Sequence, residues 1–166
     1  MNKKNLNQYL HEIAVTAIVV KDEKYLITRR AKTKKKFPGR WTVPGGRLEV
    51  SDYQDLPKDT EYHWYNIIGK TLRREIKEEV NIEIENVDYL TSITMIVGEY
   101  PSLILSFIAD YKSGEISLQE DELDEYRWVT LEEAKNYDLI EGIYDELVMA
   151  ENKRKGIKAN MWSRAK

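Results

Sequence analysis

Two periods of apolar residues run along this 166-residue chain, and they divide it into strands and helices. Ile13 to Val20 is a β-branched run with Ala14 and Ala17 inside it, and it predicts a buried strand. Lys21-Asp22-Glu23-Lys24 is a polar turn, after which Tyr25-Leu26-Ile27-Thr28-Arg29 predicts a second strand and closes a hairpin. Ala31 to Arg40 is a charged loop ending in Pro38-Gly39, and Trp41-Thr42-Val43 is short and β-like before Pro44-Gly45-Gly46 breaks it. From about Tyr65 to Val80 the period changes. Ile68, Leu72, Ile76 and Val80 recur every four residues, the single apolar stripe of an amphipathic helix. Strand-like runs return at Glu83 to Leu90, Ser92 to Val97 and Ser102 to Tyr111, with a turn at Lys112 to Glu115 and a short strand at Arg127 to Val129. Thr130, with Glu133 three residues on, predicts a capped helix start. A last helix is predicted over about Ile140 to Asn152, followed by a basic, frayed tail from Lys153. No repeat or linker divides the chain, so we read residues 1–166 as a single domain.

Ser51 to about Asn66 lacks either period. It holds Pro57, several acids and the cluster Tyr62-His63-Trp64-Tyr65, and it predicts an irregular excursion.

The helix after this excursion carries the candidate chemistry. Glu75, Glu78 and Glu79 sit at i, i+3 and i+4, which puts three carboxylates on one helical face, off the apolar stripe. Like charges so spaced repel, and a hard divalent cation such as Mg2+ or Mn2+ suits that donor set. The bland alternative is a surface helix on which Lys70, Arg73, Arg74 and Lys77 pair with the acids.

Composition narrows the function. At 42% hydrophobic and 33% charged, the chain reads as globular, and a net charge of −3 argues against a broad nucleic-acid footprint. The basic cluster Lys32 to Lys36, flanked by Arg29, Arg30 and Arg40, is either a solvated loop or a lure for an anionic substrate such as a polyphosphate. Absence of cysteine excludes disulfides, cysteine-ligated zinc and a thiol nucleophile. Met1-Asn2-Lys3-Lys4-Asn5 has no apolar signal core and no run is long enough to span a membrane, so the expectation is a cytoplasmic protein with no membrane partner.

Together, Gly46, Arg74-Glu75-Ile76, Glu78-Glu79 and Ile82 resemble the Nudix signature, a glycine and an acid followed by an Arg-Glu-aliphatic-x-Glu-Glu helix. The approach Phe37 to Gly46 is also similar, and the resemblance covers roughly residues 12 to 150. Three departures stand out. Asp52 replaces the family's first glutamate, Asn81 replaces the closing glycine, and the spacer to Arg74 is 21 residues rather than seven. The last implies an insertion of 14 residues within 53–66. Asn tolerates left-handed backbone, so a helix cap survives at Asn81.

The resemblance implies an α/β (α+β) fold, a Nudix-like α/β/α sandwich with a mixed central sheet, a box helix and a C-terminal helix. It implies a hydrolase that uses Mg2+ (or Mn2+) to cleave a diphosphate linkage by water attack. The metal set implied is Glu75, Glu78, Glu79 and a carbonyl near Gly45, with Glu79 the leading ligand. Arg74 would orient an acid such as Glu75 or Glu49. Glu122, six residues before Trp128, resembles the family's late acidic ligand and is a candidate base alongside a box glutamate, with Glu120 as fallback; Glu120-Asp121-Glu122 is otherwise a solvated loop. For substrate binding, Arg29 and Arg47 are candidates for phosphate and Trp41, with Tyr62, Trp64 and Tyr100, for base stacking. The expected partner is a small nucleotide, first a nucleoside triphosphate and second a nucleotide sugar such as ADP-ribose. An isomerase reading requires a cysteine the chain lacks, and a non-catalytic sensing domain is disfavoured by the retained glutamates. The insertion, with its aromatics, suits a lid or a homodimer contact.

Overall fold

A computed structural model gives the protein's structure and describes residues 9–158 and 161–165. The reading of the extreme N-terminus, Met1 to Asn5, lies outside the described residues. The elements are β1 (Glu12–Lys21), β2 (Lys24–Arg30), β3 (Trp41–Thr42), β4 (Gly45–Arg47), α1 (Ile67–Val80), β5 (Glu83–Met95), β6 (Ser102–Ser113), β7 (Leu123–Val129), α2 (Leu131–Ala134) and α3 (Ile143–Arg154), with a 3-10 turn at Val50–Asp52.

All seven strands form one mixed sheet, in which β1 is central. One edge of β1 pairs in parallel with β6 from Glu12 to Val20, and β5 lies antiparallel beyond it. The other edge is shared: β4 takes Ala14 to Thr16 and β2 takes Val20 and Lys21, both antiparallel. Because β1 is covered on both faces, its residues divide by alternation. Val15, Ala17 and Val19 pack with the α1 stripe of Leu72, Ile76 and Val80. Ile18 and Val20 pack on the opposite side with Ile143, Leu147 and Ala150 of α3. The fold is therefore a mixed α+β sandwich, as the resemblance implied.

Local chemistry explains where the element boundaries fall. Asp22 and Glu23 both have positive φ, the pairing a two-residue type I′ hairpin requires. Helix α1 starts at Ile67 rather than Tyr65, because Asn66 before it is left-handed (φ 61°) and the Tyr65 amide is held by the Asp59 carboxylate. At the other end Asn81 is left-handed (φ 59°) and caps the helix in place of glycine. Four expectations need correction. The run from Trp41 does break, at Val43-Pro44, but the break ends there, since Gly45–Arg47 forms a further strand against β1. The two runs after α1 form one strand, β5, whose register shifts between Tyr89 and Thr91 interrupt the alternation that suggested a gap. The last helix begins at Ile143, after a left-handed Gly142 (φ 91°). Arg164 and Ala165, beyond α3, also return to the body rather than fraying: the Ala165 amide donates to Asp145 and Arg164 pairs with Glu141. Among the described residues no helix is long and apolar enough to cross a membrane.

Candidate active site

Burial of the α1 stripe turns the other side of the helix toward β4. Glu79 is almost wholly buried, yet among the described residues its Oε2 accepts only from the Gly45 amide, at 2.8 Å. Desolvation, opposed by that amide and reinforced by the charges of Glu75 and Glu122, pushes its carboxyl up to about 8. One turn back, Glu75 accepts from the Arg47 amide at 3.0 Å, and burial raises it as well. The two glycines are required by this packing. A Cβ on Gly46 would collide with the Glu75 carboxylate, and one on Gly45 with the Val15 carbonyl of β1. β4 thus approaches both the sheet and the helix closely enough to hand its amides to two acids.

Arg74 ties the box together. Its fork takes Asp52, through Nε at 2.5 Å and Nη2 at 3.1 Å, while Nη1 reaches Glu75 at 3.0 Å and Glu78 at 2.8 Å. Nη2 also donates to the Arg47 carbonyl. Asp52 accepts in addition from Thr71 Oγ1 and the Glu49 amide. Despite the insertion that follows it, Asp52 is anchored on the helix, and it is the main partner of Arg74. Glu49, offered as an alternative partner, instead accepts from Ser51 Oγ. Glu78 is half exposed and paired with Arg74.

The second wall comes from the loops flanking β2 and β7. The Gln119 amide donates to the Glu79 carbonyl, which brings the Glu120–Glu122 loop against the end of α1. Glu122 adds to the negative potential at Glu79 and is ion-paired with Lys34 at 2.5 Å, so one lysine of the basic cluster is engaged at this wall. Arg30 was not among the expected site residues. It is half-buried, its charge acts on Glu79 and Glu122, and Nε donates to the Lys36 carbonyl. Its period-2 position on β2, on the same face as Leu26, was the signal that could have found it.

Of the expected substrate residues, Arg47 flanks the site through its backbone and leaves its side chain largely exposed. Arg29 points elsewhere, paired with Asp124 at 2.6 Å and Glu125 at 2.7 Å. Trp41 is a core residue. It is buried, edge-on to Tyr137 at 4.8 Å, with Arg29 over its ring, so it has no open face for a base. Tyr62 and Tyr100 are exposed, and Trp64 packs within the insertion.

Among the described residues no three acids or imidazoles converge into a ready-made metal cage. The donor chemistry nonetheless suits a hard cation. Glu79 is a desolvated carboxylate with one hydrogen bond among the described residues, beside the Arg74-paired Glu75, and Mg2+ ordinarily takes one or two carboxylates and completes its shell with water and substrate phosphates.

The site is thus an acid-bearing helix under a Gly-Gly strand within a mixed sandwich, an architecture that known proteins share. The family model described as NUDIX domain matches residues 10–149, so the chain belongs to the Nudix family. Among curated relatives, it is 43% identical over 60 residues to the NAD-capped RNA hydrolase NudC of Pseudomonas aeruginosa, covering 36% of this chain and 20% of that protein. It is 42% identical over 59 residues to NudC of Actinobacillus succinogenes, covering 36% and 22%. The chain thus spans about a fifth of the length of the curated relatives it matches. Among solved structures, the MutT NUDIX hydrolase of Burkholderia pseudomallei superposes with a TM-score of 0.67 at 20% identity, covering 84% of this chain and 98% of that one. The NUDIX domain of Shewanella oneidensis NrtR, a cocrystal with ADP ribose, gives 0.65 at 17%, covering 94% and 93%.

Proposed function

We propose that this chain is a divalent-metal-dependent hydrolase that cleaves the diphosphate linkage of a nucleoside diphosphate joined to another group. The observation that carries this reading is Glu79, a buried carboxylate held by one backbone amide, with Glu75 a turn away. When bound, a Mg2+ or Mn2+ ion supplies the positive charge that a phosphoanhydride needs at its bridging and leaving oxygens. Glu75 and Glu79 would hold it, with the strand at Gly45 beside them. Arg74 acts through other residues: it locks Asp52 and fixes the rotamers of Glu75 and Glu78. Arg30 offers the Nη edge of its guanidinium to a phosphoryl oxygen, and Glu122 or Glu75 accepts the proton of the attacking water. Location in the cytoplasm belongs to the same reading.

The NudC relatives act, by name, on NAD-capped RNA. That likeness supports the same class of bond here, in a small molecule rather than RNA given the net charge of −3. The test pairs turnover with binding. We expect no hydrolysis of a panel of nucleoside triphosphates and nucleotide sugars in chelator, hydrolysis of at least one with Mg2+ or Mn2+, and a loss of at least about a hundredfold in Glu79→Gln. Calorimetric Mn2+ binding should weaken in the same variant. Metal-independent turnover, or a Glu79→Gln enzyme with full rate and full Mn2+ affinity, would refute the assignment.

A further inference from the structure

In the acidic loop before β7, Glu120 and Asp121 are exposed, whereas Glu122 is partly buried and held by amide, carbonyl and carboxylate. Its amide donates to the Gln119 carbonyl at 2.9 Å, and its carbonyl accepts from the Ala31 amide at 2.9 Å. Its Oε1 accepts from Lys34 Nζ at 2.5 Å. Ala31 and Lys34 are the two ends of one turn, closed by the Lys34 amide donating to the Ala31 carbonyl at 3.0 Å. A single four-residue turn therefore grips one residue of the neighbouring loop twice, by backbone at its start and by side chain at its end.

The turn is anchored at the acidic site. It follows directly on Arg30, which β2 pairs with Leu123, the residue after Glu122. The Arg30 amide donates to the Arg40 carbonyl at 2.9 Å, and the Arg30 carbonyl accepts from the Gly39 amide at 3.0 Å, so the 31–40 loop is tied at its root. Arg30 Nε donates to the Lys36 carbonyl at 2.9 Å, and its charge acts on Glu79 and Glu122. One loop thus fixes both the guanidinium and the acid of the second wall. The lysines of the basic cluster divide accordingly. Lys32 and Lys35 are exposed, while Lys34 and Lys36 are partly buried and end on carboxylates, Glu122 and Glu12. An ion pair as open as Lys34–Glu122 contributes little to folding. Its consequence is geometric. With the amide and carbonyl of Glu122 already fixed, the freedom left is in its side-chain torsions, and Lys34 selects among them.

We propose that Lys34 is a positioning residue: it sets the Glu122 carboxylate at the acidic site and acts on the reaction only through it. This rests on the hydrolase reading above, in which Glu122 is one of two acids placed for the attacking water. The experiment uses whichever member of a panel of nucleoside triphosphates and nucleotide sugars, ATP and ADP-ribose included, is turned over fastest in Mg2+ or Mn2+. It measures kcat and KM for wild type, Lys34→Met, Lys34→Arg, Lys35→Met, Glu122→Gln and the Lys34→Met, Glu122→Gln double variant, with melting curves to confirm folding. Lys34→Met should lower kcat about ten- to a hundredfold, the scale of a misplaced reacting group, with KM within about twofold. Lys34→Arg should recover most of that loss, because one charged donor suffices for a single carboxylate oxygen. Lys35→Met should leave both constants within about twofold of wild type. In the Glu122→Gln background, Lys34→Met should cost less than about twofold more, since its route of action is gone. Additive losses, a full rate in Lys34→Met or in Glu122→Gln, or equal KM increases in Lys34→Met and Lys35→Met, as a general lure for anions would give, would overturn the assignment. Should the wild type hydrolyse no member of the panel with either metal, the hydrolase reading fails separately. Crystal structures of wild type and Lys34→Met then decide: a Glu122 side chain that changes rotamer in the variant upholds the positioning role, and one that stays in place removes it.

Discussion

Asp52 shows how a single carboxylate can hold a site without belonging to its chemistry. It is nearly buried, takes the Arg74 fork and accepts two further hydrogen bonds, so its loss strands a guanidinium that also positions Glu75 and Glu78. We expect Asp52→Ala to lower stability by about 2–3 kcal/mol, discounted from the fully buried case because Arg74 is partly exposed. Urea unfolding measures it, and a change under about 0.5 kcal/mol would remove the anchoring role. Glu146 is a different case. It is buried against the sheet with Asp145 beside it, and its only polar partner among the described residues is the Ser106 hydroxyl at 2.7 Å. Desolvation raises its carboxyl above the ordinary 4.5. The folded state therefore holds the proton more tightly than the unfolded state. The associated stability is complete below 4.5 and lost as pH climbs through the raised folded value. Glu146→Gln keeps the acceptor for Ser106 and removes the titration. Its unfolding free energy should exceed that of wild type near about pH 8 and the gap should close by about pH 4, as urea curves across that range will show. A gap that widens on acidification would contradict the sign.

At the scale of elements, what could be read from the chain divides by how local its cause is. The capping box at Thr130 and Glu133 is a four-residue code, and both reciprocal bonds form, at 3.2 and 2.8 Å. Thr130→Ala should therefore cost about 1 kcal/mol, measured as a lower urea midpoint. The α1 stripe and the Asn81 cap were legible for the same reason: both are written in consecutive turns. Gly45-Gly46 was not. By local chemistry it is a breaker, and it becomes a strand only because β1 and Glu75 approach so closely that no side chain fits. The same limit applied to the single residues Trp41 and Arg30. An aromatic before a loop and one arginine of a basic cluster look like substrate contact and solvated charge. Tertiary packing sends the first to the core on Tyr137 and brings the second to the acids. Asp52 lay between: its carboxylate was visible in the motif, but only the folded loop shows that 14 extra residues leave it on Arg74.

For the whole molecule, the question is how a box interrupted by an excursion keeps its geometry. The excursion closes on itself. The Asp59 amide donates to the His63 carbonyl, Trp64 to the Leu56 carbonyl and the Tyr65 amide to Asp59, while Asp52 before it is fixed on α1 by Thr71 and Arg74. No residue from Gln54 to Asn66 is buried, and both core clusters lie outside it. It is therefore a module attached to the sandwich and contributes little to its core. Lengthening or shortening such a loop changes closure entropy slowly, by about 0.6 kcal/mol per doubling of length. Replacing Gln54–Tyr65 with a short Gly-Ser link, keeping Asp52, Tyr53 and Arg74, should thus leave the melting temperature within about 5 °C of wild type. Mn2+ affinity, which depends on Glu75 and Glu79, should stay within about threefold, the change expected of a site whose ligands are untouched. If the shortened chain instead melts more than about 15 °C lower, the excursion is structural rather than modular, and the Arg74–Asp52 anchor depends on it.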